Sequence, residues 1–324
     1  MPQGSVLGPI LFLIYINDII NSTSLNLLSF ADDTTVYKSG PHIDTLINNI
    51  NQELKHLCDY LCANKLALNV KKTNFCIFSP PNNKYQVNNC IKINNENVSH
   101  IGKDNKDESV KFLGIHIDKH LTWKKHINII SSKISRAIFA INRLKHFLPH
   151  NALKTLYYTL IQSHLTYGVQ AWGNGNTVIK LQTLQKRALR IINNKRYRSH
   201  TDPIFKSENI LKITDIHKLH VSLFMFDYFH KTLPKSFEHY IPTYNLATST
   251  RITRQHNQIR TGKPRTNFSS KLPLHHFTKL WNNLEYTIQN LKSRHKFKYV
   301  ISKQYLSSYL NQVHCLNLRC VECN

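Results

Sequence analysis

The chain has 324 residues, with 43 Lys and Arg against 18 Asp and Glu, and a formal net charge of +25. The seven cysteines lack framework spacing and no signal peptide is visible, which argues against a secreted disulfide scaffold. No apolar stretch reaches the length of about 18 residues that a membrane span needs. We therefore expect an intracellular protein, nuclear or cytoplasmic. The hydrophobic content of 41% suffices for two or three domains, and the basic excess favours a polyphosphate partner, although a protein that binds anions loosely has the same composition.

The first predicted element is a pair of strands on either side of an acidic turn. The apolar run Leu25–Phe30 precedes Ala31, Asp32 and Asp33, and the β-prone run Thr34–Tyr37 follows. Paired carboxylates at an exposed turn are ligands that hard divalent cations such as Mg²⁺ prefer. Adjacent Asp residues are also common in turns that bind no metal, so the turn alone leaves both interpretations open.

A helix and three less regular segments follow. Apolar residues recur at helical spacing through a predicted helix at 44–68, namely Ile43, Ile47, Ile50, Leu54, Leu57 and Leu61. Residues 75–78 predict a strand, and the Asn-rich stretch 82–109 predicts an irregular loop or hairpin. Residues 110–117 alternate in a way that predicts another strand.

From residue 123 the pattern becomes helical. The first of these helices has Thr122 as its predicted N-cap and ends before Pro149. Its apolar face holds Ile130, Ile134, Ile138, Ile141, Leu144 and Leu148, and its polar face holds Lys133, Arg136, Arg143 and Lys145. A second helix is predicted near 151–166, with Leu153, Leu156, Leu160 and Ile161 inward. A third helix follows at about 177–193 and a fourth from Asp215 to Leu233.

The third helix becomes strongly basic toward its end. The cations concerned are Lys186, Arg187, Arg190, Lys195, Arg196 and Arg198, with Tyr197 among them. Basic residues with an interleaved aromatic suit phosphate contact combined with base stacking. A solvated helix face is the commoner role of such charges, so both interpretations stay open.

Residues 241–279 contain no acidic side chain. Their cations include Arg251, Arg254, Arg260 and Arg265, which predicts either a flexible basic linker or an ordered surface that grips nucleic acid. An amphipathic helical block is predicted from 280 to 310. The tail then holds His314, Cys315, Cys320 and Cys323, but their spacing matches no trusted zinc pattern, and free thiols are the simpler interpretation.

Four motifs, in this order, resemble the reverse transcriptase of non-LTR (LINE-like) retrotransposons. They are Pro2-Gln3-Gly4-Ser5, Phe30-Ala31-Asp32-Asp33, Asn69 to Thr73, and Phe112-Leu113-Gly114. Each motif is weak by itself, but four in order at compatible spacing are specific. The resemblance is clear over residues 1 to about 127 and looser beyond.

The resemblance implies an RNA-directed DNA polymerase that uses an RNA template, a DNA primer and deoxynucleoside triphosphates. It implies that Asp32 and Asp33 hold Mg²⁺ or Mn²⁺, with Asp32 the stronger ligand because it leads the pair. Adjacent strand residues point to opposite faces, so the two carboxylates rarely coordinate equally. Template or nucleotide contact is implied for Pro2, Gln3, Gly4, Ser5, Phe30 and Ala31, and primer grip for Phe112, Leu113 and Gly114. Lys72, or Lys71 beside it, would donate a proton to pyrophosphate, although an ordinary surface lysine fits at least as well.

The implied fold is α+β. A partial right-hand polymerase palm of antiparallel strands and a helix would occupy residues 1–122, and a helical thumb 123–172. A basic helical C-terminal region would occupy 173–324, with a linker near 241–279. Another catalytic Asp of this family lies upstream of the Pro-Gln-Gly loop, so we expect a fragment that lacks that strand and the fingers.

Two functions from different classes fit these observations. The chain is either part of an RNA-directed DNA polymerase or a non-catalytic nucleic-acid-binding remnant of a decayed element, and both use the same basic surface. The residues encoded upstream of Met1 would distinguish them. A nuclease built around Asp32 has no further acidic or His cluster to support it.

Overall fold

Contacts divide the chain into two compact units, residues 1–121 and 122–324. The computed structural model describes residues 5–80, 89–102, 109–237, 259 and 262–309. Helices combined with short strands give the α+β class that the sequence predicts. Among the described residues, none of the helices combines the length and the apolar character that a membrane span requires.

The first unit contains two α-helices and short paired strands. Its described elements are α1 (Leu7–Ile16), β1 (Asn26–Phe30), β2 (Asp33–Tyr37), α2 (Ile43–Ala63), β3 (Asn74–Phe75), β4 (Lys92–Ile93), β5 (Glu96–Asn97), β6 (Ser99–His100), β7 (Ser109–Phe112) and β8 (Ile115–Asp118). A 3₁₀ turn at Asn17–Ser22 follows α1.

Helix α2 forms the core of this unit through the apolar face that its periodicity predicts. The buried side chains on that face are Ile47, Leu54, Leu57 and Leu61. Glu53 Oε2 accepts hydrogen bonds from the Ser24 amide at 2.7 Å and the Thr23 hydroxyl at 2.9 Å. These bonds, above all the one from the Ser24 backbone, lower the pKa of Glu53. The chain that enters β1 is therefore attached directly to α2.

The described strands form four two-stranded pairs instead of one continuous sheet. Three pairs are antiparallel, but β3 pairs with β6 in parallel, and the strand predicted at 75–78 is reduced to Asn74–Phe75. The single strand predicted at 110–117 is instead the hairpin β7–β8. Leu113 and Gly114 have φ values of 44° and 84°, and two successive positive φ values reverse the chain in a tight hairpin turn.

The second unit is helical throughout its described part. Its helices are α3 (Lys124–Leu144), α4 (His150–Tyr157), α5 (Ser163–Thr166), α6 (Val169–Trp172), α7 (Val178–Ile192), α8 (Asp202–Ser207), α9 (Ile213–Phe229), α10 (Asn267–Lys271), α11 (Pro273–Asn282), α12 (Tyr286–Gln289) and α13 (Arg294–Ser308). A π-helical segment, Tyr158–Gln162, joins α4 to α5, and a 3₁₀ turn lies at Lys235–Phe237.

Several predicted helix ends are wrong. Trp123, with a φ of 63°, is the N-cap of α3 instead of Thr122. Helix α9 ends at Phe229, before the predicted Leu233. The block predicted at 280–310 is divided among the end of α11, α12 and α13, because the chain leaves the helical conformation between them.

Two residues predicted to face inward are exposed. Leu160 is 39% exposed, since it lies in the π-helical segment, where the extra residue per turn rotates the following side chains relative to an ideal helix. Leu144 is 37% exposed at the last position of α3. Leu153 and Ile161 are buried as predicted.

Two apolar clusters form the core of the second unit, and α9 contributes to both. Ile213 and Ile216 of α9 belong to the first cluster, while Leu219 and Phe226 belong to the second. The first cluster joins helices from either side of the predicted boundary at 172/173, including α3 and α7. The assignment of residues 123–172 as a thumb stays a prediction.

A stacked histidine pair lies on α9 and α11, with His217 buried and His276 half-buried. His217 is 4% exposed, and its ring stacks on that of His276 at a centroid distance of 5.2 Å. Its Nε2 finds no hydrogen-bond partner among the described residues. Burial, followed by the nearby His276, lowers the pKa of His217 to about 4. His217 is therefore neutral in the folded protein at pH 7.

We expect acid to destabilise the second unit through His217. The unfolded state binds a proton near pH 6.5 and the folded state only near pH 4, so stability is lost as the pH falls between these values. His217 alone should contribute a loss of about 2 kcal/mol between pH 7 and 4.5. Urea unfolding followed by tryptophan fluorescence reports on this unit, because Trp123, Trp172 and Trp281 all lie in it.

The matched variants are His217→Gln and His295→Gln. His295 is exposed on α13, so its replacement should leave the pH dependence as in wild type. His217→Gln should make the loss between pH 7 and 4.5 smaller by about 2 kcal/mol. Equal pH dependence in both variants would show that His217 is not the titrating group.

Candidate active site and nucleic-acid surface

The two adjacent carboxylates lie at the tip of the β1–β2 hairpin, here called the acidic hairpin (residues 26–37). Phe30 pairs with Asp33, so Ala31 and Asp32 form the connecting turn. Ala31 has a φ of 52°, a left-handed conformation that is uncommon for a residue with a Cβ. Asp32 and Asp33 are both exposed. The strand–turn–strand prediction is confirmed, with Asp33 as the first residue of the second strand.

The two faces of the acidic hairpin differ in burial. Leu27 and Val36 pack against the core of the first unit. The opposite face carries Leu28, Phe30 and Tyr37, which are 50%, 63% and 53% exposed. The register places Asp33 on this second face, opposite Phe30. The core thus holds the hairpin from one side and leaves its acidic tip accessible.

The acidic tip provides oxygen ligands of the kind that Mg²⁺ and Mn²⁺ prefer, but only two carboxylates. Within the described residues there is no group of three or more His, Cys, Asp or Glu side chains that could hold a metal ion. The donor chemistry therefore fits a divalent cation, and the complete ligand set of a two-metal centre needs further residues.

The predicted template motif lies mostly outside the described residues. Pro2, Gln3 and Gly4 are not described, whereas Ser5 is, and its Oγ accepts a hydrogen bond from the Gly8 amide at 3.2 Å at the start of α1. The role of this motif stays a prediction.

Lys72 and the predicted primer grip occupy two other elements. Lys72 is exposed in a turn where its amide donates to the Asn69 carbonyl at 3.1 Å. Phe112, Leu113 and Gly114 form the tip of the β7–β8 hairpin. The structure thus brings Asp32 and Asp33 together in one hairpin, while Lys72 and residues 112–114 lie in separate elements of the same unit.

The predicted basic cluster surrounds the C-terminal end of α7. Arg187 is exposed on the helix, and Lys195, Arg196 and Arg198 are exposed in the loop that follows. Tyr197, between them, is 79% exposed and free to stack. We call Arg187, Lys195, Arg196 and Arg198 the exposed basic cluster.

Arg190 and Lys186 differ from these four residues. Arg190 is half-buried, and its Nε donates to the Ser199 carbonyl at 2.8 Å, which ties the basic loop to α7. Burial lowers the pKa of the Arg190 guanidinium from its usual value. Lys186 is also half-buried. Arg190 therefore supports the loop as well as carrying charge.

The remaining predicted basic residues and the cysteine tail are largely outside the described part. Arg251, Arg254 and Arg260 are not described, and neither are His314, Cys315, Cys320 and Cys323. Arg265 is described and exposed. A groove between α3 and α7, not predicted from the sequence, has Ser131, Arg136 and Lys180 in its lining. The feature of the sequence that could have indicated this groove is the helical spacing of small polar and basic residues on α3.

Comparison with known proteins identifies relatives over most of the chain. Residues 1–117 match the family model for reverse transcriptase (RNA-dependent DNA polymerase). The RNA-directed DNA polymerase from mobile element jockey of Drosophila melanogaster is 23% identical over 66% of this chain and 24% of that protein. The probable RNA-directed DNA polymerase from transposon X-element of the same species is 25% identical over 59% of this chain and 21% of that protein.

A third relative is the probable RNA-directed DNA polymerase from transposon BS of Drosophila melanogaster. It is 23% identical over 68% of this chain and 25% of that protein. The chain thus spans about a quarter of the length of these relatives. No solved structure shows a significant match. Together the matches show that the chain is similar to reverse transcriptases and to RNA-directed DNA polymerases of mobile elements.

Proposed function

We propose that this chain forms part of the RNA-directed DNA polymerase of a non-LTR retrotransposon, beginning at the Pro-Gln-Gly motif. The observation that carries the proposal is the exposed acidic hairpin, which lies within the segment that matches the reverse transcriptase family. RNA-templated primer extension, with Asp32→Asn as the variant, tests it. The partners would be an RNA template, a DNA primer and deoxynucleoside triphosphates.

The proposed mechanism uses the acidic hairpin as a ligand platform. Divalent cations would activate the primer 3′-hydroxyl and neutralise the triphosphate. Asp32, at the tip of the turn, would be the direct ligand. Asp33, at the start of β2, would assist it, and its position beside Phe30 would place it at the exposed face of the hairpin. The buried face, held by Leu27 and Val36, would keep both carboxylates in position.

Other residues would position the nucleic acid. Gln3 offers a donor and an acceptor to the template, and Gly4 permits a close backbone approach. Phe112, Leu113 and Gly114 would support the primer end from the tip of the β7–β8 hairpin. Lys72, exposed in its turn, would donate a proton to pyrophosphate. Residues 123–172 would form the thumb and 173–324 the basic C-terminal region.

Exposed apolar side chains support the proposal that the first unit works within a larger polymerase. Along α1 these are Leu7, Ile10, Leu11, Leu13, Ile14 and Tyr15, all at least 45% exposed. Leu28, Phe30 and Tyr37 extend this character to the acidic hairpin. Soluble monomers rarely expose large contiguous apolar patches, and such patches mark surfaces that pack against other protein or ligand.

A second candidate is a non-catalytic nucleic-acid-binding remnant. This candidate is favoured because, within the described residues, no third metal-ligating side chain joins the two carboxylates of the acidic hairpin. The two candidates share the basic surface, so binding alone does not separate them, whereas primer extension does.

We expect nucleic-acid binding that weakens steeply with salt and depends on the exposed basic cluster. Each phosphate contact on a single strand contributes about −0.7 to the slope of log affinity against log salt. Replacing Arg187, Lys195, Arg196 and Arg198 by Gln should therefore reduce the magnitude of that slope by up to about 3 and lower the affinity. A binding titration on single-stranded RNA and DNA at several salt concentrations measures both quantities.

The matched control replaces four exposed lysines of the same unit by Gln: Lys133, Lys206, Lys231 and Lys235. It removes the same charge, so it separates a local contact from a general loss of basicity. If both quadruple variants bind alike, the cluster is an ordinary charged surface. Arg190 is left intact because its bond to Ser199 supports the loop.

A further inference from the structure

A groove of about 560 Å³, open to solvent, lies between α3 and α7. Helix α3 contributes Ser131, Ser132, Ser135 and Arg136 to its lining, and α7 contributes Lys180 and Thr183. Among the described residues, the polar side chains that line the groove carry hydroxyl groups or positive charges, and none is a carboxylate. This composition suits an anion.

Ser131 is the unusual residue of the groove. It is 4% exposed, and its Oγ has no hydrogen-bond partner among the described residues. The neighbouring Ser132 instead donates to the Asn128 carbonyl at 3.1 Å, the usual bond of a serine within a helix. A buried hydroxyl without a partner destabilises the folded protein. A ligand that accepts a hydrogen bond from this hydroxyl would therefore bind with additional favourable free energy.

The two cations lie on opposite walls of the groove. Lys180 Nζ donates to Asn128 Oδ1 at 3.0 Å, which holds the ammonium beside α3 and leaves two of its N–H groups for a ligand. Arg136 follows Ser132 by one helical turn and offers a planar donor fork. Two positive charges and a free buried hydroxyl match the charge and acceptor oxygens of a phosphate.

We propose that the α3–α7 groove binds a phosphodiester group of the nucleic-acid backbone. The Ser131 hydroxyl donates a hydrogen bond to it, and Arg136 and Lys180 pair with its charge. A polymer is favoured over a free anion because Arg187, of the exposed basic cluster, follows Lys180 by two helical turns on α7, so basic side chains continue from the groove. The proposal rests on the proposed function, since it names the nucleic-acid contact of the second unit.

The first test is a titration of the whole chain with labelled single-stranded RNA and DNA at several salt concentrations. Arg136→Gln with Lys180→Gln should reduce the magnitude of the salt slope by about 0.7, from the one lost phosphate contact, and weaken binding at least about tenfold. The control, Lys133→Gln with Lys206→Gln, removes two exposed charges outside the groove and should change the slope much less.

Ser131→Ala separates a ligand contact from a structural role. It should weaken binding about tenfold without changing the salt slope, because a neutral hydroxyl releases no counterion. The same variant should unfold at an equal or higher urea concentration than wild type, since it removes an unpaired buried hydroxyl and adds a strong helix former. Lower stability with unchanged binding would show that Ser131 is only structural and would overturn its assignment.

The outcomes also separate this proposal from the proposed function. If wild type binds RNA and DNA in a salt-dependent way but the groove variant matches its control, the groove assignment is wrong while the proposed function stands. If wild type shows no such binding, both fail. The last experiment is a titration with inorganic phosphate at constant ionic strength, which tests for binding of the free anion. Phosphate binding that the groove variant loses, with nucleic-acid affinity equal to the control, would identify a free-phosphate site and contradict the proposal.

Discussion

Asp32→Asn is expected to lower RNA-templated primer extension by at least about a thousandfold, in a polypeptide that carries residues 1–324 behind the upstream catalytic strand and fingers of a non-LTR reverse transcriptase. Asn is nearly isosteric with Asp and is well tolerated in turns, so the acidic hairpin should still form. The substitution removes the negative charge that would hold a divalent cation at the tip. Extension of a labelled primer with Mg²⁺ and with Mn²⁺ measures the loss.

Two further Asp variants make this result specific. Asp44→Asn changes an exposed carboxylate in the first turn of α2, away from the hairpin tip, and should leave extension within about twofold of wild type. Asp33→Asn should have an intermediate effect, because Asp33 begins β2 and would assist Asp32 in holding the cation instead of being the main ligand. If Asp32→Asn extends the primer at the same rate as Asp44→Asn, then Asp32 is not part of the catalytic site.

Gln185→Met is expected to destabilise the second unit by about 3–5 kcal/mol. Gln185 is fully buried in α7, and its amide nitrogen donates to the Tyr157 hydroxyl and the Leu211 carbonyl, both at 2.9 Å. Its amide oxygen accepts from the Ile213 backbone at 2.9 Å. Met has a similar volume but no such groups, so the backbone groups of Leu211 and Ile213 lose these partners.

Urea unfolding followed by tryptophan fluorescence measures this loss of free energy. Gln304→Met is the matched control, because Gln304 is exposed on α13 and its replacement should change stability by less than about 0.5 kcal/mol. If Gln185→Met unfolds at the same midpoint as Gln304→Met, the buried amide network does not stabilise the unit.

The features that sequence predicted well are local ones. The acidic hairpin follows from two β-prone runs separated by turn residues, and the apolar periodicity of α2 fixed which of its side chains are buried. Both signals lie within a few consecutive residues or one helical repeat. The position of Asp32 at an exposed tip could therefore be predicted without any tertiary information.

The features that sequence missed depend on residues far apart along the chain. The parallel pairing of Phe75 with His100 cannot be seen in either short segment alone. Gln185 interrupts an apolar pattern, and only the approach of Tyr157 and Leu211 shows why an amide stands there. The α3–α7 groove likewise needs two helices, since Ser131 and Arg136 on α3 line it together with Lys180 on α7. The predicted Thr122 cap failed because the backbone of Trp123 adopts a left-handed conformation instead.

We propose that the acidic hairpin belongs to a polymerase centre whose metal-ligand set needs residues beyond Asp32 and Asp33. The most direct test is primer extension on an RNA template by purified residues 1–324, compared with the same residues preceded by the upstream catalytic strand and fingers of a non-LTR reverse transcriptase. We predict little or no extension by residues 1–324 alone, because two adjacent carboxylates cannot position two metal ions, and Mg²⁺-dependent extension by the longer polypeptide. Mg²⁺-dependent extension by residues 1–324 alone that disappears in Asp32→Asn would contradict the claim of incompleteness. A longer polypeptide that folds, binds template and primer, yet never extends, would contradict the polymerase assignment itself.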